Sequence, residues 1–561
     1  MASQSQPRGY FAGAVDTILG RLSGLPAAAS TSYTTTPVRI PLPPSEKGEP
    51  LSLAATLYRP TTPNPKGTVL CYGPYGRDAL SALAIVRPFA SHGYIVLDVS
   101  NRGTFGSSGV FLPARNDVAD THAVASWMRT QPWCTGSFAM AGTSYMAFTQ
   151  WAMLTDPPAD MVASAQSLGL YNWAEFVWET GSPRGDFMGW ADFVLDQEAV
   201  GVFPFVAKVR KLVSNAARMG WLFEQTPLLK AVGEHFGQRA EWVAEVVSRS
   251  DPEDAFYAPM RRNEALETVT VPVSLVAGWY DLVLMQGLRV YHRLTERGVK
   301  VQMVVGPWTH MNAEGIPKTA YEWIDGHLTK RGQGASDEAL EWTAKVHVGG
   351  INEWRYLPDW PPATAPLELY LQPNGKLAGA KPEDEGSTES SFVFDPANPT
   401  PAVGGAWIDI GSGCVVDSSL AARSDVLTFT TAPLERDVEV MGAPSVSLSH
   451  TSDTPFVDLF VRISDVDPKG VSRNICDVYR RLDPHRGQRP VVLNLSPCAP
   501  VFRKGNSLRL MIAGGNHPLY HRNPGTAADA VRAEKLRPAT HVVRHGKDFV
   551  STLVLPVSRG T

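Results

Sequence analysis

The sequence has few of the features that mark membrane-anchored, disulfide-rich or nucleic-acid-binding proteins. No apolar run approaches the roughly 20 residues that a membrane-spanning helix needs, so we expect no membrane anchor. The five cysteines stand apart without a CxxC pair, and an odd count in so long a chain argues against a disulfide framework. No long Lys or Arg run occurs and the formal net charge is -4, so nucleic acid and anionic membranes are not favoured partners.

The N-terminal thirty residues also lack the uninterrupted apolar segment of a signal peptide. The weakly amphipathic stretch from Tyr10 to Leu25 is broken by Asp16 and Arg21, a pattern typical of a docking helix or a frayed tail. From these features we expect a cytoplasmic protein that acts on a small molecule, without a metal or other cofactor. The sequence is compatible with a homo-oligomer and does not specify one.

What the sequence does contain is enough material for several domains. Its 561 residues exceed the size at which one hydrophobic core keeps growing, which predicts two or three domains. Short apolar runs alternate with helical patterns from Lys66 onward and again after Arg262, as expected for βαβ units around a parallel sheet. Between these two parts lies a segment rich in Trp, Phe and Met without strand signals, which indicates inserted helices.

Beyond Pro366, short runs alternate apolar and polar residues between Gly, Pro, Asp and Asn turns, which predicts a β-sandwich or jelly roll. We therefore predict an α/β protein in four segments. Residues 31–170 and 263–365 form a discontinuous α/β core, 171–262 an inserted helical cap, and 366–561 a C-terminal jelly roll.

The most informative local pattern is an apolar strand that runs into Gly-Thr-Ser and then a helix, FAMAGTSYMA at 138–147. A nucleophile elbow needs small residues around its serine because the backbone turns so sharply. Gly142 meets this need, whereas Ala147 stands near the place of the second glycine. The strand–turn–helix context makes Ser144 the candidate nucleophile, and the alternative is a turn without chemistry.

A serine hydroxyl needs a base, and in folds with this elbow an acid precedes that histidine in the chain. Among thirteen histidines, His310 follows a buried strand that ends in GPWTH, and Asp281 follows a strand that ends in AGWYD. Active-site groups collect at the carboxyl ends of strands in open α/β sheets. We predict that His310 is the general base and that Asp281 orients it; a helix-capping role is the alternative for Asp281.

The oxyanion formed by attack on a carbonyl needs hydrogen-bond donors beside the nucleophile. The backbone N–H of Tyr145, directly after Ser144, is the first predicted donor. The second is expected from the loop CYGPYGR at 71–77, either as a backbone N–H or as the hydroxyl of Tyr75.

These motifs and their order resemble the cocaine esterase family, which also includes α-amino acid ester hydrolases, glutaryl-cephalosporin acylases and X-Pro dipeptidyl-peptidases. The likeness covers about residues 35 to 560 and rests on GPYGRD, SNRGTFGSSGVF, AGTSYMA, AGWYD, GPWTH, GINEWRYLPDW, FVFDPANPTPAVGG and RSDVLTFTTAPLERDVEVMGAPSVSL. It implies an α/β-hydrolase core with an inserted helical domain and a C-terminal jelly roll. It also implies a triad of Ser144, Asp281 and His310, with the Tyr75 hydroxyl completing the oxyanion hole beside the Tyr145 amide.

Two positions depart from the pattern of that family. Ala147 replaces a glycine and adds a methyl group where helix and sheet pack closely. Ser100 and Asn101 replace the Asp-x that precedes Arg-Gly, so a buried Arg102 needs another acid.

The acyl pocket is predicted between the core and the inserted helices, where aromatic residues are densest. The candidate lining residues are Trp173, Trp178, Phe187, Trp190 and Trp279. Packing within the helical region is the alternative role for each of them.

The leading hypothesis for function is hydrolysis of an ester or amide of a small acyl substrate through an acyl-Ser144 intermediate. Three alternatives stay open. The same triad could pass the acyl group to an alcohol or amine in a biosynthetic pathway, or the fold could serve a non-catalytic binding protein. An X-Pro-type dipeptidyl-peptidase is the third, and it would use Asp186 or Glu179 to hold the amino terminus of its substrate.

Overall fold

The computed structural model describes residues 5–28, 32–77, 85–198, 215–329, 342–383, 388–485, 487 and 489–559. In this part of the chain two eleven-stranded sheets and one two-stranded sheet carry the strands. The first large sheet comes from the N-terminal residues up to Leu357 and the other two from the residues after it.

The first sheet is parallel at its centre and antiparallel at both edges, in the order β1-β2-β3-β5-β4-β6-β7-β8-β9-β10-β11. Strands that helices cover on both faces read as continuous apolar runs, and β4 and β5 are buried at every residue. The strands are β1 (Gln6–Pro7), β2 (Tyr33–Leu42), β3 (Leu51–Pro60), β4 (Thr68–Gly73), β5 (Ile95–Ser100), β6 (Phe138–Thr143), β7 (Met161–Ser167), β8 (Val273–Tyr280), β9 (Val301–Thr309), β10 (Ala344–Val348) and β11 (Glu353–Leu357).

Twelve α-helices belong to the described residues of this N-terminal part. They are α1 (Tyr10–Leu22), α2 (Arg87–Ser91), α3 (Asp117–Arg129), α4 (Tyr145–Leu154), α5 (Trp173–Trp178), α6 (Gly185–Asp196), α7 (Asn215–Phe223), α8 (Leu228–Phe236), α9 (Glu241–Val247), α10 (Asn263–Thr268), α11 (Leu284–Glu296) and α12 (Ile316–Thr329). Helices α5 to α9 follow β7 and lie within the predicted insertion. Their aromatic and aliphatic side chains share one hydrophobic cluster with Tyr145 and Phe148 of α4, so the inserted helices pack directly beside the elbow.

The C-terminal residues form a β-domain whose strands alternate buried and accessible residues, as in β17 and β23. Strand β17 pairs with β24 through its first half and with β23 through its second half. Buried side chains of all three strands belong to one hydrophobic cluster. The elements are β12 (Thr364–Gln372), β13 (Lys376–Ala378), β14 (Thr388–Phe394), α13 (Ser418–Ala421), β15 (Val426–Thr430), β16 (Val438–Glu439), β17 (Ser445–Ser452), β18 (Asp458–Val466), β19 (Ser472–Arg481), β20 (Val491–Asn494), β21 (Val501–Phe502), β22 (Ser507–Ala513), β23 (Ala539–His545) and β24 (Thr552–Ser558).

The predicted fold class is confirmed: an α/β-hydrolase core carries an inserted helical region and a C-terminal β jelly-roll domain. The segment boundaries themselves stay predictions. The antiparallel strands β2, β3 and β11 extend the sheet beyond the alternating pattern from which the core was predicted. Across the described ranges, every helix is too short or too polar to cross a lipid bilayer.

Candidate active site

Ser144 lies at a sharp turn between β6 and α4, with φ 60° and ψ -123°. This backbone region is strained for a residue with a side chain, so the surrounding structure must hold it. The Ser144 N–H donates to the carbonyl of Ser167 at 2.9 Å. A Cβ atom on Gly142 would lie 2.4 Å from the Cβ of Met146, so only glycine fits at the start of the turn.

Ala147, which departs from the family pattern, packs against another glycine. Ala147 is fully buried, and a Cβ atom on Gly169 would lie 2.3 Å from its Cβ. Gly169, just beyond β7, has no side chain, and the Ala147 methyl group occupies the space that a side chain there would need. Helix α4 can therefore still pack closely against the sheet at the elbow.

The three residues predicted as a triad meet at the carboxyl ends of their strands. His310 follows β9 directly, and its Nε2 lies 3.0 Å from Ser144 Oγ. Asp281 follows β8 directly, and its Oδ1 lies 2.7 Å from His310 Nδ1. The Asp281 side chain is fully buried. This geometry lets Asp281 fix the ring of His310 with Nε2 directed at the serine hydroxyl.

The Tyr75 hydroxyl faces Ser144 from the loop after β4. It donates to Ser144 Oγ at 3.2 Å and accepts the backbone N–H of Tyr145 at 3.4 Å and the indole N–H of Trp190 at 3.1 Å. Burial raises the pKa of the Tyr75 phenol. The phenol therefore keeps its proton at neutral pH and can act as a donor beside the Tyr145 amide.

A narrow cavity opens on Ser144 between the core, the inserted helices and the C-terminal domain. Trp173 and Trp190, both predicted for the pocket, lie in its wall. The sequence analysis missed five apolar residues of the wall: Leu170, Phe176, Leu282, Val283 and Ile408. Leu282 and Val283 directly follow Asp281, which could have indicated them, whereas Ile408 comes from the C-terminal domain and has no local signal.

Three aromatic candidates lie outside this cavity. The Trp178 indole donates to the carbonyl of Val246 at 3.0 Å within the inserted helices, where Phe187 is also buried. The Trp279 indole donates to the carbonyl of His347 at 2.7 Å, and Trp279 lies in the wall of a second cavity beside Asp281 and Leu282. Trp178 and Phe187 therefore pack within the helical region, the alternative role that the sequence left open, whereas a substrate-lining role for Trp279 stays a prediction.

The two acids considered as anchors for a substrate amine are already engaged. Asp186 pairs with Arg184 at 2.8 Å and accepts the backbone N–H of Ile408 at 2.8 Å. Glu179 forms an ion pair with Arg289. Neither carboxylate lies in the wall of the cavity on Ser144.

Arg102 finds its acid on helix α3 rather than in its own loop. Its guanidinium binds both carboxylate oxygens of Asp120, at 2.5 and 3.1 Å. Asn101, at one of the two substituted positions, donates its amide to Asp117 at 2.6 Å. The loop after β5 is therefore held by two acids of α3.

Comparison with known proteins identifies the family. The family model described as X-Pro dipeptidyl-peptidase (S15 family) matches residues 48–312, and that of the X-Pro dipeptidyl-peptidase C-terminal non-catalytic domain matches residues 334–554. The chain belongs to the cocaine esterase and X-Pro dipeptidyl-peptidase family of α/β-hydrolases. As a member of this family, it is a serine hydrolase.

Within this family, the chain is 28% identical to the cocaine esterase of Rhodococcus sp. (strain MB1 Bresler), over 90% of its own length and 96% of that protein. Among solved structures, it is similar to an aminopeptidase from a marine sediment Thaumarchaeota archaeon, with a TM-score of 0.78, 19% identity and coverage of 94% and 96% of the two chains. An α-amino acid ester hydrolase matches with a TM-score of 0.77, 20% identity and coverage of 95% and 98%. At 19% and 20% identity, these solved structures support the fold of the chain, and they do not indicate its substrate.

Proposed function

We propose that this serine hydrolase cleaves an ester or amide of a small, uncharged acyl group through an acyl-Ser144 intermediate. The observation that carries the proposal is the continuous chain of hydrogen bonds from Asp281 through His310 to Ser144, which ends at a cavity with apolar walls. Two adjacent oxyanion donors beside the nucleophile, the Tyr75 hydroxyl and the Tyr145 N–H, complete the set of groups that acyl transfer requires.

In the acylation step, Ser144 Oγ attacks the substrate carbonyl while His310 Nε2 takes the hydroxyl proton. The Tyr145 N–H and the Tyr75 O–H donate to the oxyanion that forms. Collapse of the tetrahedral intermediate breaks the bond to the leaving alcohol or amine, which receives the proton from His310. Asp281 stabilises the charged imidazole throughout and keeps its own negative charge.

In the second step, water replaces the leaving group. His310 removes a proton from the water molecule as its oxygen attacks the acyl carbonyl, and the same two donors stabilise the new oxyanion. The intermediate then releases the carboxylic acid, and Ser144 recovers its proton from His310.

The cavity wall favours a neutral acyl group over a peptide with a free amino terminus. Among the described residues that line it, none is an aspartate or glutamate, and His310 is the one basic side chain. A buried ammonium group without a carboxylate partner is costly, and Asp186 and Glu179 already pair with arginines. Ester hydrolysis therefore ranks above the dipeptidyl-peptidase activity.

A substrate panel tests the proposal. We expect hydrolysis of p-nitrophenyl acetate, butyrate and phenylacetate, and slower hydrolysis of the phenylglycine ester, which adds only an amino group to phenylacetate. Ser144→Ala and His310→Ala should remove the activity, whereas His292→Ala, on the surface of α11, should keep it. Selective hydrolysis of the phenylglycine ester would favour the peptidase hypothesis.

Product analysis with added butanol separates hydrolysis from acyl transfer. Absence of free acid from every ester would contradict the proposal that the protein is a hydrolase.

A further inference from the structure

Tyr145 is held at both ends, and only one end belongs to the oxyanion hole. Its backbone N–H points toward the Tyr75 hydroxyl beside Ser144. Its ring is stacked on Trp190, and its own hydroxyl lies in a buried polar site away from the serine. There, the hydroxyl donates to Asp117 Oδ2 at 2.6 Å and accepts the backbone N–H of Ala114 at 2.7 Å.

The groups around the Tyr145 hydroxyl are themselves fixed from three directions. Asp117, buried at the start of α3, accepts the Asn101 amide on its second oxygen at 2.6 Å. Ala114 is fully buried with φ 66°, a conformation that a residue with a side chain rarely adopts. Arg262 donates to the Ala114 carbonyl at 2.9 Å. Strain that the surroundings maintain in this way is concentrated at functional sites.

We propose that Asp117 is a positioning residue for the oxyanion hole and that it acts through the hydroxyl of Tyr145. The inference rests on the function proposed above. Tyr145 has one amide that must point at the oxyanion and one side chain whose far end is anchored by Asp117. With the ring clamped, the residue cannot rotate, so the N–H stays aimed at the position where charge develops. Donors that are oriented in advance lose no energy to reorganisation during the reaction.

The charges around Asp117 make this support depend on pH. Burial raises the pKa of its carboxyl group to about 7; the charge of Asp120 adds to this, while the hydrogen bonds from Tyr145 and Asn101 and the charge of Arg262 oppose it. Arg102 and Tyr72 are the other titratable groups that face it.

Above pH 7 the ionised carboxylate accepts from both Asn101 and Tyr145. When Asp117 takes a proton, one of its oxygens becomes a hydroxyl, which is a weaker acceptor than a carboxylate oxygen, so the hydrogen bond that Asn101 or Tyr145 donates to it weakens. Turnover should therefore fall as the pH drops through about 7. The acid limb of the pH–rate profile should be steeper in the wild type than in a variant without this carboxylate.

Two single variants test the contact from its two sides. In Asp117→Asn, the new amide cannot accept from both donors, and in Tyr145→Phe the hydroxyl is gone. For p-nitrophenyl butyrate we expect kcat to fall about tenfold in each, less than on removal of an oxyanion donor, with KM within twofold of wild type. Inhibition by phenylboronic acid, whose adduct on serine is tetrahedral, should weaken by the same factor. The double variant should lose no more than the worse single variant, because both remove one contact.

Asp120→Asn is the matched control. Asp120 is a buried acid one turn further along the same helix, bound to Arg102 and not to Tyr145. This variant should keep kcat at pH 9 and move the acid limb to lower pH, because it removes a charge that raises the pKa of Asp117.

The rate at which a fluorophosphonate labels Ser144 gives a readout that needs no substrate, and it should fall in Asp117→Asn and Tyr145→Phe. Unchanged kcat, labelling rate and inhibition in both variants, or additive losses in the double variant, would overturn the inference while wild-type hydrolysis upholds the proposed function. If wild-type Ser144 neither hydrolyses esters nor is labelled, the proposed function fails and the inference falls with it.

Discussion

The indole N–H of Trp190 donates to the Tyr75 hydroxyl at 3.1 Å, and that hydroxyl donates in turn to Ser144 Oγ at 3.2 Å. Trp190 lies on α6 of the inserted helices, whereas Tyr75 belongs to the core. The inserted helices therefore orient an oxyanion donor in addition to forming the wall of the cavity. This link makes the hydroxyl of Tyr75, rather than its ring, the part that matters for turnover.

Tyr75→Phe should reduce kcat by roughly 10²–10³-fold, the usual cost of losing one oxyanion donor. KM should change little, because the ring that lines the cavity remains. Trp190→Phe, which removes the donor to Tyr75 and part of the ring stacked on Tyr145, should have a smaller effect, because the Tyr75 hydroxyl itself remains. Steady-state kinetics with p-nitrophenyl butyrate measure both. Tyr291→Phe, which removes a tyrosine hydroxyl that is bound to Thr343 and lies outside the wall of this cavity, is the control. An equal loss in this variant would contradict the assignment.

The contact between Gly169 and Ala147 predicts a compensating pair of substitutions. Gly169→Ala places a methyl group against the Ala147 Cβ and should lower the free energy of unfolding by about 1–3 kcal/mol, as overpacked cores do. Adding Ala147→Gly to this variant removes the clash and should restore part of the stability. Urea unfolding of the two single variants and the double variant measures the coupling. Strictly additive losses would show that the two positions do not compensate.

Two histidines of the C-terminal domain, His521, which is buried, and His517, which is half-buried, should make the protein less stable in mild acid. Burial lowers the pKa of His521 to about 3, helped by the charge of Arg481, and that of His517 to about 4, helped by Arg522. Between about pH 6.5, the pKa of histidine in an unfolded chain, and pH 4, the unfolded state binds protons that the folded state does not. Stability present at pH 7 is therefore lost as the pH falls through this window.

The melting temperature measured from pH 7.5 to 4.5 checks this prediction. His521→Gln should flatten the dependence, because one of the groups that bind protons on unfolding is absent. His485→Gln, at an exposed histidine of the same domain, should leave the slope as it is. The prediction fails if His521→Gln retains the full slope.

Asp186 should act as a structural link between α6 and the C-terminal domain. The Asp186→Asn substitution removes the carboxylate charge and weakens the hydrogen bond from the Ile408 N–H. We therefore expect a lower melting temperature. The loss of kcat/KM should be similar for the phenylacetate and phenylglycine esters. A rise in KM confined to the phenylglycine ester would instead indicate an amine anchor.

The side chain of Ile408 should limit the size of the acyl group. Ile408→Ala opens the cavity wall and should raise the kcat/KM of larger acyl esters relative to the acetate. Ile410→Ala, two residues away and 82% exposed, should leave the preference unchanged. The preference is measured with a series of p-nitrophenyl esters of increasing chain length, and identical profiles for wild type and Ile408→Ala would contradict this role.

The sequence was sufficient for those features that depend on neighbouring residues. Ser144, Asp281 and His310 each follow a recognisable apolar strand, and parallel topology then brings strand ends together at one edge of the sheet. Contacts between distant segments leave no such pattern. Asp120 serves Arg102 from a helix eighteen positions later, and Ile408 reaches the cavity from another domain.

The same limitation explains the aromatic candidates. Trp173 and Trp178 stand on the same short helix, but one faces the cavity and the other the helical cluster. Composition indicates that a region is rich in aromatic side chains, whereas the packing of the helices decides which of them border an open space. The ion pair between Asp186 and Arg184 could not be predicted from the sequence either. An acidic residue at the start of a helix gives the same sequence pattern whether its side chain is solvated or paired.

The most direct test of the central claim is rapid quenching of the enzyme with p-nitrophenyl butyrate, followed by peptide mass spectrometry. The account predicts a butyryl adduct on the peptide that contains Ser144, formed within the first turnover and absent in Ser144→Ala. Hydrolysis that continues in Ser144→Ala, or an adduct found only at another residue, would contradict it.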